Sequence, residues 1–217
     1  MSAAAPPPIA RVELVRTLHE AATGTFPAVD GGFSRAAPWR EGTEAAIAFT
    51  GHAVIVVGED VPDERLRSLG IHGLGGAHDP RATVELARRG EIGILDALLV
   101  GRGTGGSSPL VDRPDLAGTH RAEHASQWRE AVRVLGFPDH ASRALATLGW
   151  GIAGLPEIGV ESADGWADAL LAGCLAMVPA GEVVLAAVSP GNARSLRFFL
   201  RHGFVPVGSV QLWAPAR

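Results

Sequence analysis

Within SPGNARSLRFFLRHGF, residues 189–204, a Pro-Gly-Asn turn opens a Leu/Phe-rich segment that carries three arginines and stops at Gly203. Asn192 has the type and position of a helix N-cap, and Gly203 those of a C-terminal stop. Arg194, Arg197 and Arg201 share one helical stripe opposite Leu196 and Leu200, so they either meet phosphate groups or form a solvated face. Gly101, Gly103 and Gly106 fit a G-x-G-x-x-G pattern after a strand, but SSPLVDRPD follows in place of a helix, and a pyrophosphate cradle lacks its setting. His72, His78 and Asp79 are ligand types without a second cluster, and Asp79 is better used as a cap; no metal site is expected. His120 and His124 stand at helical i,i+4 spacing without the H-E-x-x-H order and read as a solvated helix face. Cys174, alone of its kind in the apolar run ALLAGCLAMV, reads as a buried structural thiol. All 19 basic side chains other than histidine are Arg, and Tyr is absent. Lysine Schiff-base chemistry and phenol acid–base chemistry are thereby excluded.

The elements that must position these residues follow from periodicity and punctuation. ARVELVRTLHEAA places Val12, Val15, Leu18 and Ala22 on one helical stripe, and a long connector follows. AAIAFTGHAVIVVG is a strand or hairpin, VPDERLRSLG a short helix, and HDPRATVELARRG a helix with Asp79 as cap, Pro80 as first residue and Gly90 as stop. IGILDALLV returns as a strand. The Gly/Pro/Asp-rich stretch 101–118 carries the expected boundary, dividing the chain into 1–112 and 113–217. Beyond it, SQWREAVRVLGF is helix or strand, RALATLGWGIAG and PEIGVE are strands, WADALLAGCLAMV a helix, EVVLAAVS a strand, NARSLRFFLRHG a helix, and FVPVGS and VQLWAP two closing strands. This order implies a mixed sheet, antiparallel at short turns and parallel across the helical crossover.

The chain has 217 residues, is 47% hydrophobic and carries a net charge of −4. That suffices for one packed domain or two small ones and argues against a nucleic-acid partner. No apolar run approaches membrane-spanning length, and MSAAAPPPIA has neither a basic n-region nor a long apolar h-region, so no membrane association and a cytoplasmic location are expected.

Asn192, Ser195, Phe199, Gly203 and Phe204 match the N-x-x-[AS]-x-x-x-[YF]-x-x-x-G-F signature that ends the GNAT N-acetyltransferase superfamily, and the flanking elements fall in that superfamily's order. The chain resembles a GNAT protein from about Ala131 to Trp213 and is similar to two-part GNAT proteins of high-GC bacteria. The resemblance implies an α/β fold with a GNAT-like mixed, mostly antiparallel sheet, splayed central strands and flanking helices, preceded by a smaller α/β N-terminal region, with a degenerate half-GNAT as one reading of it. It implies acetyl-CoA as cosubstrate, held by Ile158, Gly159 and Val160 on one splayed strand, by the loop at Gly165, Trp166 and Ala167, and by Asn192, Ser195 and Phe199. The usual basic or amide residue of that loop is Ser162 here, while Asp164 and Asp168 add negative charge; Asp164 also suits a helix cap. Phe199 stands where many relatives carry the tyrosine that protonates the leaving thiolate. Glu157, with Glu161 as the second choice, is the implied base for an amine on a small molecule or peptide. A homodimer is left open, and the alternative is a catalytically degenerate module that binds acyl-CoA or a protein partner.

Overall fold

The computed structural model describes residues 11–163 and 165–216. Helices and strands alternate as α1 (Arg11–Ala21), β1 (Phe33–Ala36), β2 (Glu44–Phe49), β3 (His52–Val56), α2 (Asp63–Ser68), α3 (Pro80–Ala87) and β4 (Glu91–Arg102). There follow β5 (Val111–Asp112), α4 (His120–Trp128), β6 (Glu130–Gly136), β7 (Leu145–Trp150), β8 (Pro156–Glu161), α5 (Ala167–Ala176), β9 (Val183–Val188), α6 (Ala193–Arg201) and β10 (Val205–Ala214). The fold class is α/β with mixed, mostly antiparallel strand pairing and flanking helices, as expected. The described residues group into two compact units, 11–98 with 188–198 and 206–216, and 99–187 with 199–205.

In the first unit the strands run in the order β1-β3-β2-β10-β4. The β2–β3 hairpin turns at Thr50-Gly51, where φ is +74° at Gly51, a conformation open to glycine at no steric cost. β1 pairs with β3 in parallel and β10 with β2 antiparallel. Ile55, Val57, Leu66, Leu86 and Trp213 build its core, and the Trp213 indole N–H donates to Glu44 at 2.9 Å, which satisfies the one polar atom of a large buried ring. α1 buries Leu14, Leu18 and Ala21, whereas Val12 is 75% exposed, so the apolar stripe lies off the expected Val12–Val15–Leu18–Ala22 line. Asp79 caps α3 through the Arg81 amide (2.9 Å) as anticipated. The helix nevertheless stops before Gly90: Arg88 and Arg89 both take left-handed φ (50° and 67°), and Gly90 lies where a Cβ would strike the backbone of residues 214 and 216.

In the second unit the order is β4-β9-β8-β7-β6-β5. SQWREAVRVLGF proves to be the end of one element and the whole of the next, since α4 closes at Trp128 and β6 starts at Glu130 with a register shift before Arg133 and a left-handed Ala131 (φ 46°). That bulge bends the strand as the chain leaves the helix. α4 and α5 pack on β7 and β8, and Leu135, Leu145, Ile158, Leu170, Leu171, Cys174 and Leu185 are buried. Burial pushes the Cys174 thiol up to about 12, consistent with an inert structural role. Arg113, fully buried, pairs with Asp115 and donates to the carbonyls of Phe137, Asp139 and Ser142, pinning the 137–142 loop.

Three further expectations need correction. FVPVGS and VQLWAP form one continuous strand, β10, because no turn residue with a reversing φ separates them. Leu200, set opposite the arginine stripe where a packed face was expected, is 46% exposed, and Phe198 and Phe199 are the buried residues of α6, because the helix turns its aromatic pair inward. His124 is half-buried, not part of a solvated face.

Candidate active site

β8 is bordered differently on its two sides. Against β7 it pairs along its whole length, Pro156 to Glu161, whereas among the described residues its parallel pairing with β9 is one pair, Glu157 opposite Leu185. Beyond Glu157 the two strands part. No further β8–β9 pair follows Glu157–Leu185 among the described residues, so the β9-facing backbone groups farther along β8, at Val160, are open to another partner, and buried backbone polar groups must be satisfied by something. An extended ligand bearing amides can occupy such a gap as an added strand. Ile158 and Gly159 are buried there and Val160 is half-buried.

Glu157 lies at the closed end of this opening, 5% exposed, on the face that α4 covers. Its Oε1 accepts from Arg129 Nε at 2.8 Å and lies 2.6 Å from Arg129 Nη2, while Arg129 Nη1 donates to Thr147 at 3.2 Å. Two absent side chains make room for this cluster. A Cβ at Gly151 would collide with the Glu157 carboxylate, and one at Gly159 would sit 2.9 Å from the Thr147 hydroxyl. Both charges of the pair are withdrawn from water, so each depends on the other for compensation.

Two more basic groups approach from α4. Burial holds His124 below the usual histidine value, aided by the positive charges of Arg121, Arg129 and His120 and opposed by Glu157; its imidazole is neutral at pH 7. Arg121 reaches from the same helix to Glu161, with Nε 3.8 Å from the carboxylate. Glu161 is exposed at the open end of the strand pair.

The start of α5 follows through the loop after β8. Gly165 takes φ +81°, and the amide of exposed Trp166 donates to the Ser162 hydroxyl at 3.1 Å, so Ser162 serves the turn directly. The Trp166 ring stands 5.1 Å from Phe137, and Ala167 is half-buried. Asp168 does not stand uncompensated: Arg201 donates to it at 2.8 Å and His202 lies 3.0 Å away. Asp164, with the cap reading attached to it, lies outside the described residues, as does the initial MSAAAPPPIA segment.

Phe199 is buried and meets Phe204 edge-on at 5.0 Å. In the first unit, exposed Asn192 caps α6 by accepting from the Ser195 amide at 3.0 Å, the reading its type implied. Thus Glu157, Ile158, Gly159, Val160 and Glu161 share one strand, and Gly165, Trp166 and Ala167 follow it. Arg129, Thr147, Arg121 and His124 are the additions that sequence reasoning missed. Only the His120–His124 spacing signalled any of them, because an arginine at a helix end ordinarily reads as solvated. His72 and His78 are engaged separately, His72 Nδ1 accepting from the Leu74 amide and His78 Nε2 lying 2.8 Å from the Ser209 hydroxyl.

No protein-family model matches this chain, and no curated protein matches it. Among solved structures, a GCN5-related N-acetyltransferase from Kribbella flavida is similar to it with a TM-score of 0.36 and 14% sequence identity. The likeness covers 64% of this chain and 64% of that protein's length, so the chain spans less than two thirds of it.

Proposed function

We propose that the protein is an N-acyltransferase of the GNAT type that transfers acetyl from acetyl-CoA to a primary amine by direct attack. The observation that carries this reading is the parting of β8 and β9 after Glu157. The pantetheine arm, with its amides, suits the β9-facing backbone of β8 beyond the Glu157–Leu185 pair. The loop at Gly165, Trp166 and Ala167 leads into the N-terminus of α5, whose backbone N–H groups suit a pyrophosphate there.

In this scheme the amine nitrogen attacks the thioester carbonyl, and a β8 backbone N–H stabilises the oxyanion. Glu157 receives the amine proton through water, at the oxygen that Arg129 leaves free, with Arg129 and Thr147 fixing the carboxylate. Glu161, at the open end, is the second candidate. The thiolate departs without a phenol to protonate it, since the chain has no Tyr.

The second reading is a module that binds acyl-CoA without turnover, and the burial of Glu157 in its ion pair with Arg129 favours it. Titration calorimetry with acetyl-CoA, followed by thiol-release assays against an amine panel, separates the two. Binding with turnover that Glu157→Gln lowers supports the enzyme. Binding without turnover supports the module, and no binding at millimolar acetyl-CoA, weaker than about −4 kcal/mol, sinks both.

A further inference from the structure

Three residues of the first unit, remote in type from any acyl-CoA chemistry, stand in a nucleophile–base–acid chain. The Ser34 hydroxyl lies 3.0 Å from His52 Nε2, and His52 Nδ1 lies 2.9 Å from Asp30 Oδ1. We propose that Ser34, His52 and Asp30 form a nucleophilic triad that hydrolyses small activated carboxylic esters. The order of contacts is what the chemistry needs: a carboxylate on Nδ1 selects the tautomer whose Nε2 lone pair faces the serine proton.

The surroundings hold that order in place. Ser34 is on β1 and His52 on the neighbouring parallel β3, two residues before the strand partner of Ser34, Val54, so both project from the same face. Asp30 accepts at the same oxygen from the Gly32 amide (2.7 Å), which fixes its carboxylate, and hydrogen bonding from His52 and Gly32 keeps it ionised below the usual carboxylate range. The imidazole is shielded, 12% exposed, while Asp30 is 54% exposed. Gly73 presses on the backbone of His52 and on the Gly32 and Gly51 carbonyls, where no Cβ fits. Exposed Val29 packs on Gly51, and exposed Leu74 lies 3.5 Å from the Cβ position of Gly31.

β1 ends the strand order, and the Gly32 and Ala36 carbonyls accept from Ala53 and Val57. The N–H groups of Phe33 and Arg35 therefore point out of the sheet edge, and that of Arg35, next after the nucleophile, is assigned to the oxyanion. Ser34 Oγ forms a bond to the ester carbon as its proton passes to His52 Nε2. The C–O bond to the alcohol then breaks, and the leaving oxygen takes that proton. Water repeats the sequence on the acyl-serine, releasing the carboxylic acid and restoring the hydroxyl.

This proposal is independent of acyl-CoA binding and survives its failure. The full-length protein is incubated with a fluorophosphonate probe, the labelled peptide is mapped, and para-nitrophenyl acetate hydrolysis is followed in parallel. Labelling at Ser34, with ester turnover reduced at least about 100-fold in Ser34→Ala and in His52→Gln, is the expected result. Asp30 acts through His52, so Asp30→Asn lowers kcat more than tenfold with KM unchanged, a loss of turnover far larger than the slight fall in melting temperature that removal of its carboxylate brings. Folded wild-type protein left unlabelled at Ser34, or hydrolysis undiminished in Ser34→Ala, overturns the proposal; the labelling arm needs no variant to fold.

Discussion

The carboxylate of Glu157 and the guanidinium of Arg129 illustrate how one residue's role depends on its partner. Each is buried, and neither has bulk water to fall back on. Arg129→Met should cost about 3–5 kcal/mol, because it strands the Glu157 charge, whereas the double replacement with Met at both positions should cost far less. Urea unfolding of the four proteins of that cycle measures it; equal losses in the single and double variants would mean that the pair is not compensating itself. Phe199 makes the opposite case, a buried ring with an aromatic neighbour and no need of a polar partner. Phe199→Tyr should bury a hydroxyl at a cost of about 1–3 kcal/mol, seen as a lowered melting temperature, unless that hydroxyl finds an acceptor. A rise in turnover with intact stability would instead place residue 199 beside the reacting sulfur.

At the scale of the element, the ends of helices and strands matter more than their middles. α3 has a well-made beginning, with Asp79 capping and Pro80 first, but its end runs through two arginines in left-handed backbone. Arg89 is exposed with φ 67°, so its side chain contributes crowding and little packing. Arg89→Gly should therefore stabilise the protein by about 0.5–1 kcal/mol, the relief of the left-handed strain exceeding the added flexibility of the unfolded chain. Chemical denaturation of the variant checks it, and a loss of stability would show that residue 89 holds a contact worth more than the strain. β8 shows the same dependence on borders: the strand pairs fully with β7 and yet offers a gap towards β9, so one element contributes both scaffold and candidate binding edge.

For the whole molecule, several shifted groups make stability a function of pH. Asp79 and Asp115 are held at about 2 by their arginine partners, Arg81 and Arg113, and Asp30 and Asp112 also lie below the ordinary 3.8. These depressed values stabilise the fold above pH 4, and that contribution is lost as pH falls towards 2. Burial lowers His78 and His124 below 6.5, so the unfolded chain binds their protons first and stability starts to fall once pH drops beneath 6.5. Cys174 acts at the other end: it stays protonated to about 12 when folded but ionises near 9 when unfolded, so stability falls above pH 9. Melting temperature should be flat from about pH 7 to 9 and decline on both sides, with Cys174→Ala removing the alkaline decline. An unchanged alkaline limb in that variant would assign it to other groups. No helix among the described residues is long and apolar enough to cross a membrane.

Local pattern determined much of this protein. The run PEIGVE is β8 to the residue, the Asn192 and Asp79 caps are where their types put them, and the β2–β3 hairpin turns at its Gly51. Those features depend on interactions within a few residues, on capping, alternation and the steric freedom of glycine, which composition and spacing carry directly. The Arg129–Glu157–Thr147 cluster joins three elements 10 to 28 residues apart, and the Ser34–His52–Asp30 chain joins a loop to two strands. Such juxtapositions arise from strand register, and a shift of one residue would turn Glu157 or His52 to the opposite face. The sequence contains those side chains without marking them as neighbours, and only the pairing of the strands brought their atoms within hydrogen-bonding distance.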